Sequence, residues 1–588
     1  MRSRPTCRRA EPVTVSDLDA RIARIDALEA ALWRDPANTS RLADYQKAWR
    51  ELEAQISAKG DDGRHHFVVA IPVADSPRHL QACLDSLLSQ CRAYAYGGHV
   101  DGRFRKVSVL LADDSADPAH IDRNRAIVRE IVAQGLDIEY FGLDEQRALM
   151  HELDDVDLRG VVGVHADDAF AHKGQAMMRN IAYLKLARMQ AQRPADRLLF
   201  YTIDADQAFT VNVATPDGGR DLQAINYFYK LDRLFDQGDI QVLTGKVVGD
   251  PPVSPAVMAA NFLDDAIAFV LSMRDAHPDT AYPQPPLDTR GSGEAAYHDM
   301  ADMFGFGRVG DIYRFRCTAS DAPSNAQAFD EFASHLNRFF HGEHPTRITW
   351  YRHQPLADSV QAARTVYTGN YVFTADALVH FIPFAPLRLR MSGPTMGRVL
   401  RTWVGGAFVS ANVPMLHRRT FDATGAAEYR PGVTDLDAQV DLADEFERQY
   451  HGDVMLFAIE RLAAKGFPRD ALAEVQIAAT LDEVRVQMSE RYQARHAQIL
   501  ARVERLRALL EDPRAWWLAR ADAMHAFTRF LDNIERNFGE HAIAVGHIGD
   551  ALRSAEWRRR QLDAIAALRD DRAAWRAALI RMRGTARS

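Results

Sequence analysis

Four cysteines in 588 residues, with no CxxC spacing among Cys7, Cys83, Cys91 and Cys317, exclude a disulfide scaffold. They also give no pattern for a structural zinc site or a redox centre. Basic excess is absent: 72 Lys and Arg stand against 80 Asp and Glu, a net charge of −8. A general nucleic-acid binder carries a basic footprint, so nucleic acid is not an expected partner. No uninterrupted apolar run reaches the ~18 residues of a membrane span. The nearest, Tyr371 to Leu387, is broken by Asp376, His380, Pro383 and Pro386. The opening MRSRPTCRRAEP is basic but has no apolar stretch of a secretion signal. Internal repeats and low-complexity tracts are missing. What remains is ordinary globular composition, 47% hydrophobic and 26% charged, with an expectation of a soluble, cytoplasmic protein. At ~150 residues per domain the length suggests about three or four domains.

The texture changes along the chain. Leu18, Ile22, Ile25, Leu28 and Leu32, then Leu42, Tyr45, Trp49, Leu52 and Ile56 beyond Pro36, recur at helical spacing. They define an N-terminal helical region, 1–61. From Phe67 short apolar runs alternate with helical stretches. FVVAIPV, KVSVLLADD, DIEYFG, RLLFYTID and DIQVLTG read as strands. The stretches 80–91, 121–133, 173–190 and 221–236 read as helices. Strands alternating with helices imply βαβ units and an open, mostly parallel sheet. Residues 275–365, rich in Pro, Gly and His, look like an irregular insertion. VYTGNYVFTADAL (366–378) restores strand character. From 431 to 588 only Pro431, Pro468 and Pro513 interrupt a helical pattern. Its stripes, Leu481 to Leu510 and Leu562 to Met582, are those of packed helices, a bundle or a coiled-coil arm.

Open parallel sheets bind ligands at the carboxyl ends of their strands. Asp204-Ala205-Asp206 ends RLLFYTID, and two carboxylates with room for phosphate oxygens suit Mg²⁺ or Mn²⁺. Asp113-Asp114-Ser115 closes an earlier strand, where an acid can accept hydrogen bonds from a nucleobase or ribose. The first strand ends Ile71-Pro72-Val73-Ala74-Asp75. Between these lies His172-Lys173-Gly174-Gln175, opening a helix that includes Arg179. A cation with backbone N–H groups at a helix start suits a diphosphate.

AIPVADSPRHLQACLDSLLSQ, VLLADDSAD, HKGQAMMRNIAY and FYTIDADQ, in that order and rough spacing, resemble the successive motifs of family 2 nucleotide-sugar glycosyltransferases of the A-type fold. The resemblance covers about 66–250 and, less closely, 366–420. It implies a Rossmann-like α/β catalytic domain over 62–430, flanked by the helical regions. It places Pro72, Asp75 and Asp114 at the nucleoside and Lys173 and Arg179 near the donor. Asp204 and Asp206 become the DxD pair, with Asp206 the more direct metal ligand. Gly369 and Asn370 fall at the acceptor floor. His417, after a stretch of strand character, matches a histidine that completes the metal site in some members. Arg418 and Arg419 beside it would face the diphosphate. The Glu-Asp pair that supplies the general base in many inverting members is missing from Arg390–Arg398, so Asp376 or an acid of the insertion becomes the candidate base. A retaining displacement would need no such base. The Gln-x-x-Arg-Trp signature of processive synthases is reduced to Arg401-Thr402-Trp403.

The expected function is therefore non-processive, metal-dependent transfer of a sugar from a nucleotide diphosphate sugar to a hydroxyl acceptor. The terminal helices would bind partners or self-associate, and be dispensable for chemistry. Two other readings stand beside it. One is a non-catalytic scaffold that keeps the fold. The other is a sugar-nucleotide pyrophosphorylase, opposed by the lack of glycine in VADSPRH after the first strand. Gly305-Phe306-Gly307-Arg308-Val309-Gly310 satisfies GxGxxG without the strand before and helix after that a dinucleotide site needs. His335, His341, His344 and His353 fit no zinc-ligand spacing and read as a solvated insertion over the site.

Overall fold

The computed structural model describes residues 15–60, 62–165, 170–215, 218–287, 312–421, 426–436, 439–540, 542 and 554–584. Cys7 and the Gly305–Gly310 run lie outside the described residues. The strands β1 (His66–Val73), β2 (Val107–Asp113), β3 (Asp137–Phe141), β4 (Leu198–Ile203), β5 (Gln207–Ala208), β6 (Val242–Gly249), β7 (Gln361–Ala362), β8 (Asn370–Thr374) and β9 (Phe408–His417) form one nine-stranded sheet. Its order is β7-β9-β6-β8-β4-β1-β2-β3, with β5 paired to β9. β1 is parallel to β2 and β4, and β2 to β3. β8 is antiparallel to both β4 and β6, and β6 is parallel to β9. So β6 and β9 run in the same direction as β1–β4. Their carboxyl ends, with the start of β8, meet at one edge of the sheet.

The helices are α1 (Val15–Arg34), α2 (Thr39–Ala58), α3 (Pro77–Tyr94), α4 (Pro118–Val132), α5 (Gln175–Gln192), α6 (Tyr227–Gln237), α7 (Pro255–Met273), α8 (Asn325–His335), α9 (Ser392–Val404), α10 (Ala443–Ala464), α11 (Glu474–Leu510), α12 (Ala521–Phe538) and α13 (Ala555–Gly584). The sheet is buried on both faces, which is why its strands are apolar without alternation. Phe67, Val69, Ile71 and Val73 of β1 pack with α1–α4 and α6. Val68 and Ala70 pack with α5, α10 and α13. The terminal helices thus share the cores of the sheet. Tyr45 and Trp49 of α2 belong to the first face. Ile565, Leu568 and Trp575 of α13 belong to the second, and Trp575 Nε1 donates to the Leu378 carbonyl at 2.8 Å. The stripe of α11 packs against α7, α8 and α12 in a third core, so it is a bundle helix and not a projecting arm.

α7 is the one described helix long and apolar enough to cross a membrane by length and composition, and 72% of that stretch is buried within the protein. Its Asp265 holds the insertion in place. The carboxylate accepts from Arg347 Nε at 2.8 Å, Thr346 Oγ1 at 2.7 Å and the Tyr313 N–H at 2.9 Å. The described part of the insertion is core rather than a solvated cover: Phe329, Phe332, Phe339 and Phe340 are fully buried against α7 and α12. Its histidines are dispersed. His335 pairs with Glu343, His341 lies 3.2 Å from Asp435, and His353 stacks on Trp33 at 4.6 Å.

Candidate active site

The site is built where β1, β2, β4, β6 and β9 end. After β4 the chain turns through Asp204-Ala205-Asp206 into β5, which pairs with the end of β9 so that Gln207 faces His417. The same residue of β9 faces Gly249 of β6. These two registers set Asp206 beside His417. The His417 Nδ1 lies 2.6 Å from the Asp250 carbonyl, which can only accept, so Nδ1 carries the proton. Nε2 then faces Asp206 Oδ2 at 3.3 Å. Arg419 Nη1 donates to the same Oδ2 at 2.5 Å. Asp206 Oδ1 is buried and has no hydrogen-bond partner among the described residues. Burial alone would raise the Asp206 carboxyl, but His417 and Arg419 outweigh it and hold the group well below the usual carboxylate range. Burial pushes the His417 imidazole down, and Asp206 reverses this to a net rise. Asp204 pairs with Arg179 of α5, yet burial leaves its carboxyl above the ordinary value.

Two lobes of one cleft meet at this pair. The smaller, about 120 Å³, is lined by Pro72, Ser76, Asp114, His172, Met178 and Tyr429. The larger, about 200 Å³, extends toward Arg388, Arg390, Arg430 and Arg448. Asp204, Asp206, Arg419, Gly174 and Gln175 border both. The N-terminus of α5 therefore opens between the lobes with no acidic residue in its first turn, an arrangement suited to phosphate oxygens.

Charges around the smaller lobe are matched internally. Lys173 pairs with Asp114, and both are buried. Burial raises Asp114 and lowers Lys173, each against its partner's pull. Asp75 stands at the end of β1 with φ 46°, and its carboxylate accepts the N–H groups of Ala116 at 3.2 Å and Asp117 at 3.1 Å. His172 Nε2 lies 2.5 Å from Asp75 Oδ2 and stacks on Tyr429. The neighbouring Glu428 accepts the Arg78 and His79 N–H groups, both at 2.9 Å, and so caps α3 from 350 and 349 residues away. The segment around Glu428–Arg430 thus fastens the smaller lobe on one side and enters the larger on the other.

Several expected residues stand elsewhere. Asn370 does not form an open floor: it accepts from Tyr201 Oη at 2.9 Å and donates to the Lys246 and Val413 carbonyls at 2.8 Å, tying β8 to its neighbours. Gly369 is needed because a Cβ there would come within 2.4 Å of Asp204 Oδ2. Asp376 follows β8, whose Asn370 faces Ile203 and whose Thr374 faces Leu199. β8 runs against β4, so Asp376, two residues beyond its end, lies past the opposite edge of the sheet from the cleft and is not placed to be its base. Arg418 turns outward to Asp221 and is 49% exposed, whereas the Arg419 side chain is 13% exposed and holds Asp206. Among the described residues no group of three or more His, Cys, Asp or Glu is poised as a ready metal site. Arg388, Arg390, Arg430 and Arg448 were missed because no local motif connects them. Only NVPMLHRR carried a signal, for Arg419.

The chain is a mixed α/β protein with a mostly parallel sheet, helical flanks and a polar cleft at the sheet's carboxyl edge. No family model matches it, and no curated protein matches it. Among solved structures, it is similar to the mannosyltransferase PcManGT from Pyrobaculum calidifontis in complex with GDP-Man and Mn²⁺, over 87% of this chain and 98% of that one, at 9% identity and a TM-score of 0.30. It is also similar to TarS from S. aureus, residues 1–349, over 86% of this chain and 90% of that one, at 11% identity and a TM-score of 0.26. A second TarS structure overlaps 81% of this chain and 55% of its own, at 12% identity and a TM-score of 0.25. Overlap this loose transfers no residue role to the present chain.

Proposed function

We propose that this protein transfers a sugar from a nucleotide diphosphate sugar to a hydroxyl acceptor, with a divalent cation held at Asp206 and His417. The observation that carries this reading is the junction of the two lobes. A buried Asp206 oxygen without a partner among the described residues lies beside an imidazole whose other nitrogen is fixed on a carbonyl. That is the second-shell arrangement of a ligating histidine. Two protein ligands are too few for a closed cage. They suit Mg²⁺ or Mn²⁺ shared with substrate phosphates. When bound, the cation would offset the charge that develops on the departing diphosphate.

The chain's own groups do the rest. Pro72 and Tyr429 border the smaller lobe, which takes the nucleoside. The α5 N-terminus and Arg419 orient the diphosphate. The sugar lies toward the larger lobe, where the acceptor oxygen forms the new bond to the anomeric carbon as its bond to the diphosphate breaks. Asp204 and Asp206 are the only carboxylates among the described residues lining that lobe, and both are already paired. The departing diphosphate is therefore the proton acceptor for the incoming hydroxyl, which favours front-face departure with retention.

The test is release of nucleoside diphosphate from UDP- and GDP-sugars with Mn²⁺ or with EDTA. The parent protein should release it only with the cation, and Asp206→Asn should lose at least about a hundredfold. A parent that binds no nucleotide sugar would support a scaffold instead. Unchanged cation dependence in Asp206→Asn would remove the metal assignment.

A further inference from the structure

The larger lobe holds more positive charge than the protein answers. Asp204 is paired with Arg179, and Asp206 with Arg419. Arg430 and Arg390 share one buried carboxylate, Glu445 of α10, at 2.8 and 3.4 Å. Arg388 and Arg448 have no ion pair among the described residues; Arg448 Nε donates to the Arg388 carbonyl at 2.6 Å and so fixes the two side by side. Arg430 is 9% exposed, and its Nη1 is buried without a hydrogen-bond partner among the described residues, as is Nη2 of Arg419. Burial, with repulsion from Arg390 and Arg419, outweighs Glu445 and presses the Arg430 guanidinium down to about 10. Buried donors left unmatched in this way are costly, and an anion in the lobe would satisfy them.

The donor does not answer this charge. A diphosphate bound with a divalent cation is close to neutral as a unit, and it belongs at Asp206 and the α5 N-terminus. Arg388, Arg390, Arg430 and Arg448 line the larger lobe and not the smaller.

We propose, on the basis of the glycosyltransferase reading above, that the acceptor is itself an anion: a hydroxylated molecule carrying a phosphate or carboxylate that Arg388, Arg430 and Arg448 hold in the larger lobe. Guanidinium forks match both oxyanions in two-point geometry. Their grip would set the acceptor hydroxyl at the sugar and keep neutral alcohols and water from competing. Arg388 with φ 53° and Met391 with φ 62° put two non-glycine residues of this loop in the left-handed region, a costly conformation.

The experiment measures binding of inorganic phosphate and of malonate to the full chain, in EDTA and again with Mn²⁺ and saturating UDP or GDP. At least one anion should bind, and should still bind when the donor site is filled. Arg388→Gln and Arg448→Gln should each weaken it about tenfold, and the double variant about a hundredfold. Arg388 is an exposed side chain, so that variant tests the lobe without disturbing the core. Nucleoside diphosphate affinity should hold within about twofold in both variants. The tighter of the two anions identifies the acceptor's charged group. Anion binding that nucleoside diphosphate displaces, or that neither substitution weakens, overturns the proposal. So does a parent that binds neither anion. If the parent binds no nucleoside diphosphate, the donor reading fails, and anion binding in EDTA still judges the arginine lobe.

Discussion

The two lobes that meet at Asp204 and Asp206 differ in how their charges are answered. Around the smaller, Lys173 closes on Asp114, and Asp75 closes on two backbone N–H groups and His172. Around the larger, Arg388 and Arg448 make no ion pair among the described residues, and Arg430 keeps a buried donor without a hydrogen-bond partner among them. A lobe matched within the protein is rigid before its ligand arrives and offers shape and hydrogen bonds to a neutral face such as a nucleoside. A lobe left in excess is set for charge that the ligand brings. The difference also tracks chain topology. The smaller lobe is assembled mainly from consecutive βα junctions, with Tyr429 as a late visitor. The larger draws on segments scattered from 174–176 to 448–449, the last of them inside α10.

Cutting the chain at residue 430 tests this contrast most severely. It removes Arg448 and Glu445 from the larger lobe and Ile565, Leu568 and Trp575 from the core beneath the sheet. Losing one such tryptophan typically costs about 3–5 kcal/mol, so a 62–430 fragment is expected to lose cooperative unfolding altogether. Thermal denaturation and circular dichroism would show it. A folded fragment that still bound nucleoside diphosphate would show the smaller lobe to be self-sufficient.

Next in size is the adjacent pair of arginines. Arg419→Ala should weaken Mn²⁺-dependent nucleoside diphosphate binding by about ten- to a hundredfold, because it strips a charge-assisted bond from Asp206 and a cation from the diphosphate. Arg418→Ala, on an exposed pair with Asp221, should change it less than about twofold. Calorimetric titration of both variants is the check. Equal losses would return Arg418 to the cleft.

Asp75→Asn is a stability test of the matched lobe. Burial raises the Asp75 carboxyl, but the N–H groups of Asp117 and Ala116, with His172, outweigh it and lower it below its ordinary value. A depressed folded-state pKa contributes stability above the unfolded value of ~3.9, and that contribution is lost as pH falls through the folded value. The variant should therefore be about 1–3 kcal/mol less stable than the parent at pH 7 and approach it below about pH 4. Denaturant melts at both pH values measure this. A deficit that persisted in acid would mean the loop is held by something other than the carboxylate.

The smallest effect is expected from Asp376→Asn. Sugar-transfer rate should stay within about twofold, since Asp376 lies beyond the far edge of β4 and β8. A large loss of turnover with unchanged folding would contradict the placement of the acceptor in the arginine lobe.

Much of the first half was legible because the signals were local. FVVAIPV, KVSVLLADD and RLLFYTID are strands buried on two faces; the last two end directly in acid, and Asp75 follows the first by two residues. The helix expected at 121–133 starts three residues earlier, at Pro118 after the Asp117 cap of α4. The second half was harder. The strand expected at 239–245 starts at Val242 and runs to Gly249, and the one at 366–378 shortens to Asn370–Thr374. β8 enters antiparallel between β4 and β6, a pairing that no periodicity announces. That reversal carried Asp376 away from the site and brought Gly369 against Asp204.

The sequence by itself determined the strands and helices of the first half of the sheet and which strands lead into carboxylates, since burial on two faces and capping are written within a few residues of one another. It also marked Asp204, Asp206 and, through the family resemblance, His417 as candidates for holding a cation. The tertiary structure alone decided that β5 and β9 pair so as to join Asp206 to His417, and that Arg419 rather than Arg418 turns inward. It decided too that Arg388, Arg430 and Arg448 surround one lobe. Such juxtapositions depend on strand register and on helices hundreds of residues apart packing over a common core, and neither leaves a trace in the local spacing of residues.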